Sequence, residues 1–123
     1  MAKAGEVAEQ FFAAWTRGDF EEARGLLHDD VSFEGPFDSF DRAEAYLQTL
    51  RGLAGMVTGA DVRRVFSDGD EACVLYDLHT APVPDAPVAE WFVLRDGRIA
   101  SIRAYFDARP FAAMFEGGAA PPA

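Results

Sequence analysis

Three side chains in the second half of the chain could do acid–base chemistry together: Asp77, His79 and Glu90. Successive strand residues point to opposite faces of a sheet, so Cys73, Leu75, Asp77 and His79 share one face of the run from Glu71 to Ala81. That run is followed by Ala81-Pro82-Val83-Pro84-Asp85-Ala86-Pro87. Its prolines exclude a central strand and make it a hairpin loop. A hairpin centred near Val83 and Pro84 sets Asp77 opposite Glu90 and His79 opposite Val88, with Phe92 following Glu90 on the same face. Directly opposed residues have Cβ atoms about 4.5–5.5 Å apart. Two carboxylates that close cannot both ionise cheaply in a low-dielectric pocket, so one of them holds its proton to higher pH. A carboxyl group poised near neutrality is a competent general acid or base. His79 titrates in the same range and can also orient a ligand carbonyl. The competing reading is ordinary ion pairing of these carboxylates with Arg63, Arg64 or Arg103. A one-residue slip in register would also turn every side chain to the other face.

Other chemistries find little support. His28 stands beside Asp29 and Asp30 at an expected helix end, where it suits the helix dipole. Asp77 and His79, two residues apart, are too weak a pattern for a metal site, and none is assigned. Cys73 is the only cysteine, which excludes an intrachain disulfide and a multi-cysteine zinc site. It reads as a small buried hydrophobe. There is no glycine-rich phosphate loop or nucleotide fingerprint, so no cofactor is expected. The net charge of −10, from 21 acidic and 11 basic residues, argues against nucleic acid and anionic membranes as partners. No apolar run approaches the roughly 20 residues that span a bilayer. The start, Met1-Ala2-Lys3, leads into an amphipathic stretch unlike a signal peptide. A cytoplasmic protein is the expectation.

The elements that must position these residues follow from periodicity. Val7, Phe11, Ala14 and Trp15 recur at helical spacing, and Gly18 can stop that helix. Asp19, with Glu22 three residues on, caps a second helix whose buried stripe is Phe20, Ala23, Leu26 and Leu27. A short strand runs from Val31 to Gly35 and stops at Pro36. A third helix starts near Asp41, with Ala43, Tyr46, Leu47 and Leu50 as its apolar face. Strands are expected at Val57–Ser67, Glu71–Ala81, Val88–Arg95 and Arg98–Asp107. Asp96-Gly97 between the last two is a strong signal for a type I′ hairpin. Asp107 caps a short final helix to Phe115, and residues 117–123 read as a disordered Gly/Ala/Pro tail. Helices precede strands instead of alternating with them, so the class is α+β: one domain, residues 1–116, with a curved antiparallel sheet wrapped around three helices.

Two stretches carry a family resemblance. One is Ala8-Glu9-Gln10-Phe11-Phe12-Ala13-Ala14-Trp15-Thr16-Arg17-Gly18-Asp19, followed by Leu27-His28-Asp29-Asp30-Val31-Ser32-Phe33. The other is Trp91-Phe92-Val93-Leu94-Arg95-Asp96-Gly97-Arg98-Ile99 with Ile102-Arg103-Ala104-Tyr105-Phe106-Asp107. Together they resemble the SnoaL-like branch of the nuclear transport factor 2-like superfamily, over about residues 6–115. The resemblance implies a cone-shaped α+β barrel with an internal pocket. The superfamily includes polyketide cyclases, ketosteroid isomerases, limonene-epoxide-type hydrolases and non-catalytic binders, so fold alone does not give function. Aligned with the epoxide-hydrolase branch, Asp77 matches one catalytic Asp. Phe33 and Gly35 fall at the water-holding positions, Leu75 at the Arg and Ala104 at the second Asp. The match at Asp77 implies that its face looks into the pocket.

The expected pocket wall is Trp15, Phe33, Phe37, Leu75, Phe92, Ile102, Ala104, Phe106 and Phe111, around a catalytic set of Asp77, Glu90 and His79. Eleven phenylalanines, which need no hydrogen-bond partner, suit such a dry wall. Tyr76, Trp91, Val93 and Tyr105 would then face outward, and large outward aromatics point to a homodimer packed through the sheets. The expected function is acid–base chemistry of lyase, isomerase or hydrolase type on a small hydrophobic, polyketide-like or terpenoid-like ligand. The alternative is a non-catalytic binding or accessory dimer. A two-residue Asp96-Gly97 turn gives the last hairpin a parity at odds with the resemblance, which a β-bulge would repair.

Overall fold

The computed structural model describes residues 3–112. The expected tail at 117–123 and the end of the final helix lie outside the described residues.

The chain opens with α1 (Ala4–Thr16), whose buried stripe includes Val7, Phe11, Ala14 and Trp15. Gly18, at φ 84°, reverses the chain after it. Asp19 then accepts the Glu22 backbone N–H at 3.1 Å and caps α2 (Phe20–Gly25). Strand β1 (Leu27–Glu34) begins earlier than its apolar alternation suggests. His28 consequently lies in a strand and contacts the Arg95 carbonyl, not a helix end. The two-residue β2 (Ser39–Phe40) leads into α3 (Ala43–Ala54). The cap of α3 falls on Arg42, one residue past the expected Asp41, and has no side-chain bond. Its buried face is Ala43, Tyr46, Leu47 and Leu50. Four strands complete the molecule: β3 (Val57–Asp68), β4 (Glu71–Thr80), β5 (Ala86–Arg95) and β6 (Arg98–Phe106), followed by a single 3-10 turn at Arg109–Phe111.

The result is an α+β fold with one six-stranded curved sheet in the order β2-β1-β6-β5-β4-β3. The four-strand meander is antiparallel as expected. The sheet as a whole is mixed, because β1 pairs with β6 in parallel. The chain leaves β1 through β2 and α3 before the meander, so β6 returns beside β1 in the same direction. With β2 and β3 as free edges, the sheet is open and not a closed barrel.

Curvature comes from irregularities in register. A shift in β3 lies between Val62 and Arg64. Another in β6 skips Ala100, since Val93 pairs with Ser101 but Leu94 with Ile99. An extra residue in one strand bends and twists it. Before that bulge, Asp96 and Gly97 adopt φ 54° and 78°, as a type I′ turn requires. The bulge reconciles this turn with the inward placement of Phe92 and Ile102. Against the concave face, Phe11 meets Tyr46 and Phe92 with ring centroids 6.2 and 6.4 Å apart. Phe12 lies 4.2 Å from Tyr76.

Candidate functional site

The β4 strand decides which side chains can do chemistry. Its buried residues are Ala72, Val74, Tyr76, Leu78 and Thr80, while Cys73, Leu75, Asp77 and His79 lie on the outer face. In β5 the buried set is Ala86, Val88, Glu90, Phe92 and Leu94. The hairpin between them closes tightly: the Thr80 N–H donates to the Val83 carbonyl and the Val83 N–H to Thr80 Oγ1, each at 3.0 Å. Asp77 therefore pairs with Pro87, and Glu90 with Val74. The displacement from the expected register is odd, so Asp77 and Glu90 end on opposite faces.

The expected trio is thus not one site. Asp77 is held by the Arg63 guanidinium, whose Nε donates to it at 2.7 Å on the outer face. His79 is also outside, with Nε2 2.9 Å from Asp61 and Nδ1 2.7 Å from the Pro84 carbonyl. Glu90 alone points inward and is only 6% exposed. Leu75 is half-buried on the outer face and does not reach the pocket. Phe92 and Ile102 are inside but belong to the solid core around Phe11. Tyr76, expected outside, is buried, whereas Trp91 and Tyr105 are exposed as expected.

Glu90 stands at the wall of a cavity of about 330 Å³. This is at the lower end of the roughly 300–1,000 Å³ usual for small-molecule sites. From the expected wall, Trp15, Phe33, Phe37, Ala104, Phe106 and Phe111 all line it. Phe40, Tyr46, Leu50, Leu53, Met56, Tyr76, Leu78, Val88 and Asp38 join them. Tyr46 stacks on Phe33 with ring centroids 4.6 Å apart, and Phe106 packs edge-on against Phe111 at 5.3 Å. None of the described lining residues is cationic.

Burial without a cation has an electrostatic consequence. Desolvation pushes the Glu90 carboxyl up to about 7, against the smaller opposing effect of a hydrogen bond offered by the Tyr76 hydroxyl. Both buried phenols are driven well above their ordinary value, by desolvation first and then by the charge of Glu90. Asp38, partly buried in the loop between β1 and β2, is also raised by desolvation. The cavity thus holds one carboxyl group that gives and takes a proton near neutrality, two phenols fixed as hydrogen-bond donors, and a second carboxyl nearer solvent.

Sequence reasoning missed Tyr46, Tyr76 and Asp38. The signal for Tyr76 was present: Ala72, Val74, Tyr76 and Leu78 form the uniformly apolar phase of β4, and the other phase carries Asp77 and His79. Tyr46 was read as a buried helix position, without its hydroxyl. Nothing in the pattern around Asp38 marks a pocket.

A SnoaL-like domain model matches residues 8–102. The chain belongs to the SnoaL-like family. The structure of a Kribbella flavida protein is similar to this SnoaL-like chain at 30% identity and a TM-score of 0.86, covering 96% of this chain and 100% of that one. An epoxide hydrolase of M. tuberculosis, described as LEH-like, is similar at 25% identity and TM-score 0.73, over 94% and 96% of the two chains. A putative polyketide cyclase of Sinorhizobium meliloti, at 20% identity and TM-score 0.73 over 81% and 94%, shares the fold. No protein of curated function matches the sequence. The SnoaL-like fold is thus related to those of cyclases, isomerases and hydrolases.

Proposed function

We propose that this SnoaL-like domain is a cofactor-independent acid–base enzyme of lyase, isomerase or hydrolase type. Its substrate is a small apolar, polyketide-like or terpenoid-like molecule held in the cavity. The observation that carries the reading is Glu90: a carboxyl group 6% exposed, in an apolar cavity, beside the Tyr76 hydroxyl, pushed up to about 7. At neutral pH it is populated in both protonation states, so it serves as acid or as base without an external partner. Tyr46 supplies a hydrogen bond where charge develops on a substrate oxygen, while Tyr76 gives its one hydroxyl proton to Glu90. Asp77 and His79, on the outer face, take no part in this chemistry.

The test is turnover of a panel of small cyclic ketones, lactones and epoxides by the wild type, Glu90→Gln and Asp77→Asn. The Gln variant should lose about 100-fold or more in turnover, the usual contribution of a positioned acid or base. The Asn variant should match the wild type. Equal loss in both would return the catalytic role to the outer face. A second reading, a non-catalytic binder, is favoured by the overwhelmingly apolar wall, in which Glu90 is the one fully buried carboxyl among the described residues. Binding of a panel compound without turnover, unaltered in kind by Glu90→Gln, would decide for it.

A further inference from the structure

The charge pattern of the cavity says more about its occupant than its volume does. Two carboxyl groups, Glu90 and Asp38, are its only charged lining side chains among the described residues. The rings of Trp15, Phe33, Tyr46 and Tyr76 line the same space, with Phe33 and Tyr46 stacked on each other. Aromatic faces carry negative potential and attract cations, most strongly where water is excluded. A carboxylate or phosphate on a ligand would face two like charges and no counter-ion. We propose that the cavity recognises a small apolar amine, bound as its ammonium ion, with Glu90 as counter-ion and the aromatic rings as the surrounding cage. The inference rests on the cavity being a ligand site, as the functional reading above requires, but not on catalysis there.

The physical argument is one of compensation. Among the described residues Glu90 is buried with a phenol hydroxyl as its partner, and desolvation is the largest cost it meets. An ammonium ion beside it would remove that cost, because an opposite charge within about 4–6 Å favours the ionised form. Binding then expels the Glu90 proton to solvent, leaving a carboxylate–ammonium pair of zero net charge. By reciprocity, the site binds the cation better as pH rises toward neutrality. The groups facing Glu90 are Tyr76 from β4 and Tyr46 from α3, and Asp38, from the loop after β1, lines the same cavity and acts on Tyr46. Cys73, on the far side of β4, also feels its charge. The phenols stay neutral throughout this range, so Glu90 dominates the pH dependence, with Asp38 as the secondary group.

Three probes of nearly one shape test the proposal: naphthylmethylamine, naphthylmethanol and naphthylacetate, followed by naphthalene fluorescence and calorimetry near neutral pH. The amine should bind at least about tenfold more tightly than the alcohol, and the carboxylate not measurably. Amine affinity should rise up to about tenfold per pH unit below neutrality, as the carboxylate form becomes available. In Glu90→Gln the preference for the amine should collapse to about twofold while the alcohol still binds, and the rise with pH should disappear. Asp38→Asn should keep most of both. Amine and alcohol binding alike in the wild type, or an amine preference that survives Glu90→Gln, would overturn the proposal while leaving the ligand site intact. Failure of all three probes to bind would overturn the ligand-site reading as well.

Discussion

Glu90 carries most of what the site can do, and its burial should be visible in stability. A carboxyl raised from 4.5 to about 7 keeps its proton in the folded chain after the unfolded chain has released it. Folded protein therefore binds more protons between those two values, and stability falls as pH rises through that window. The penalty is complete above neutrality and absent below pH 4.5. Each pKa unit is worth about 1.4 kcal/mol, so the full effect is on the order of 3 kcal/mol. Glu90→Gln should therefore unfold at higher denaturant concentration than the wild type at pH 8, by about 1–3 kcal/mol, and show no such gain at pH 4. Denaturant titrations at the two pH values check this, and a variant less stable at both would exclude a costly buried carboxyl. Much of this residue was legible in the sequence: Glu90 interrupts an otherwise apolar inward phase with Val88 and Phe92. Its partner was not. The resemblance at Asp77 favoured one face of β4, while the plain alternation of Val74, Tyr76 and Leu78 favoured the other, and packing followed the alternation.

At the scale of elements, turns with strong local chemistry could be read and those decided by side-chain bonds could not. Asp96-Gly97 and Asp19 with Glu22 did what their types dictate. The proline-rich hairpin centres on Pro82 and not near Val83 and Pro84, because Thr80 closes the turn on Val83 through both backbone and hydroxyl. His79 then ties that loop to the neighbouring strand. Its Nε2 meets Asp61 on β3, and Nδ1 meets the Pro84 carbonyl and, at 3.0 Å, Asp85. Only the imidazolium can donate from both nitrogens. The bond to Asp61 is the largest influence raising its pKa, followed by the Pro84 carbonyl. A histidine raised above 6.5 in the folded state adds stability that is complete below 6.5 and is lost as pH rises through the folded value. The His79 ring proton should accordingly titrate above 6.5 by NMR, and in Asp61→Asn the midpoint should fall. Amide exchange at Thr80 and Val83 should speed up at pH 8 relative to pH 6 beyond the intrinsic pH effect, and in His79→Gln that excess should vanish. A midpoint at or below the ordinary value would remove the strap.

For the whole molecule, the unfinished surface is the convex face of the sheet. Phe66 pairs with Cys73, Cys73 with Trp91, and Trp91 with Arg103, so these four form one row across β3 to β6. The next row on the same face runs from Leu75 through Ala89 to Tyr105. Within these rows Phe66 is 49% exposed, Trp91 41% and Tyr105 53%. Contiguous apolar area of this kind is uncommon on a monomer, whereas scattered single residues are not. The proposed occupant is a second copy of the same face. A two-fold contact places each patch on its own equivalent, and symmetric dimers are the commonest soluble assemblies. Of the flanking guanidinium groups, Arg103 is paired with Glu34 and Arg63 with Asp77, while Arg64 lies over the Phe66 ring at 4.9 Å. The chain's charge of −10 opposes association at long range, and that repulsion is screened by salt. Light scattering should therefore report a dimer whose dissociation constant falls between about 20 and 200 mM salt. Trp91→Glu combined with Tyr105→Glu should give a monomer with unchanged circular dichroism, because both side chains already face solvent in the single chain. The cavity opens on the other side of the sheet, so the monomer should bind the same probes as the dimer. A wild type that stays monomeric at high salt and high concentration would leave the convex aromatics without a second copy to cover them. A monomeric variant that lost its ligand would show that the two faces of the sheet are coupled.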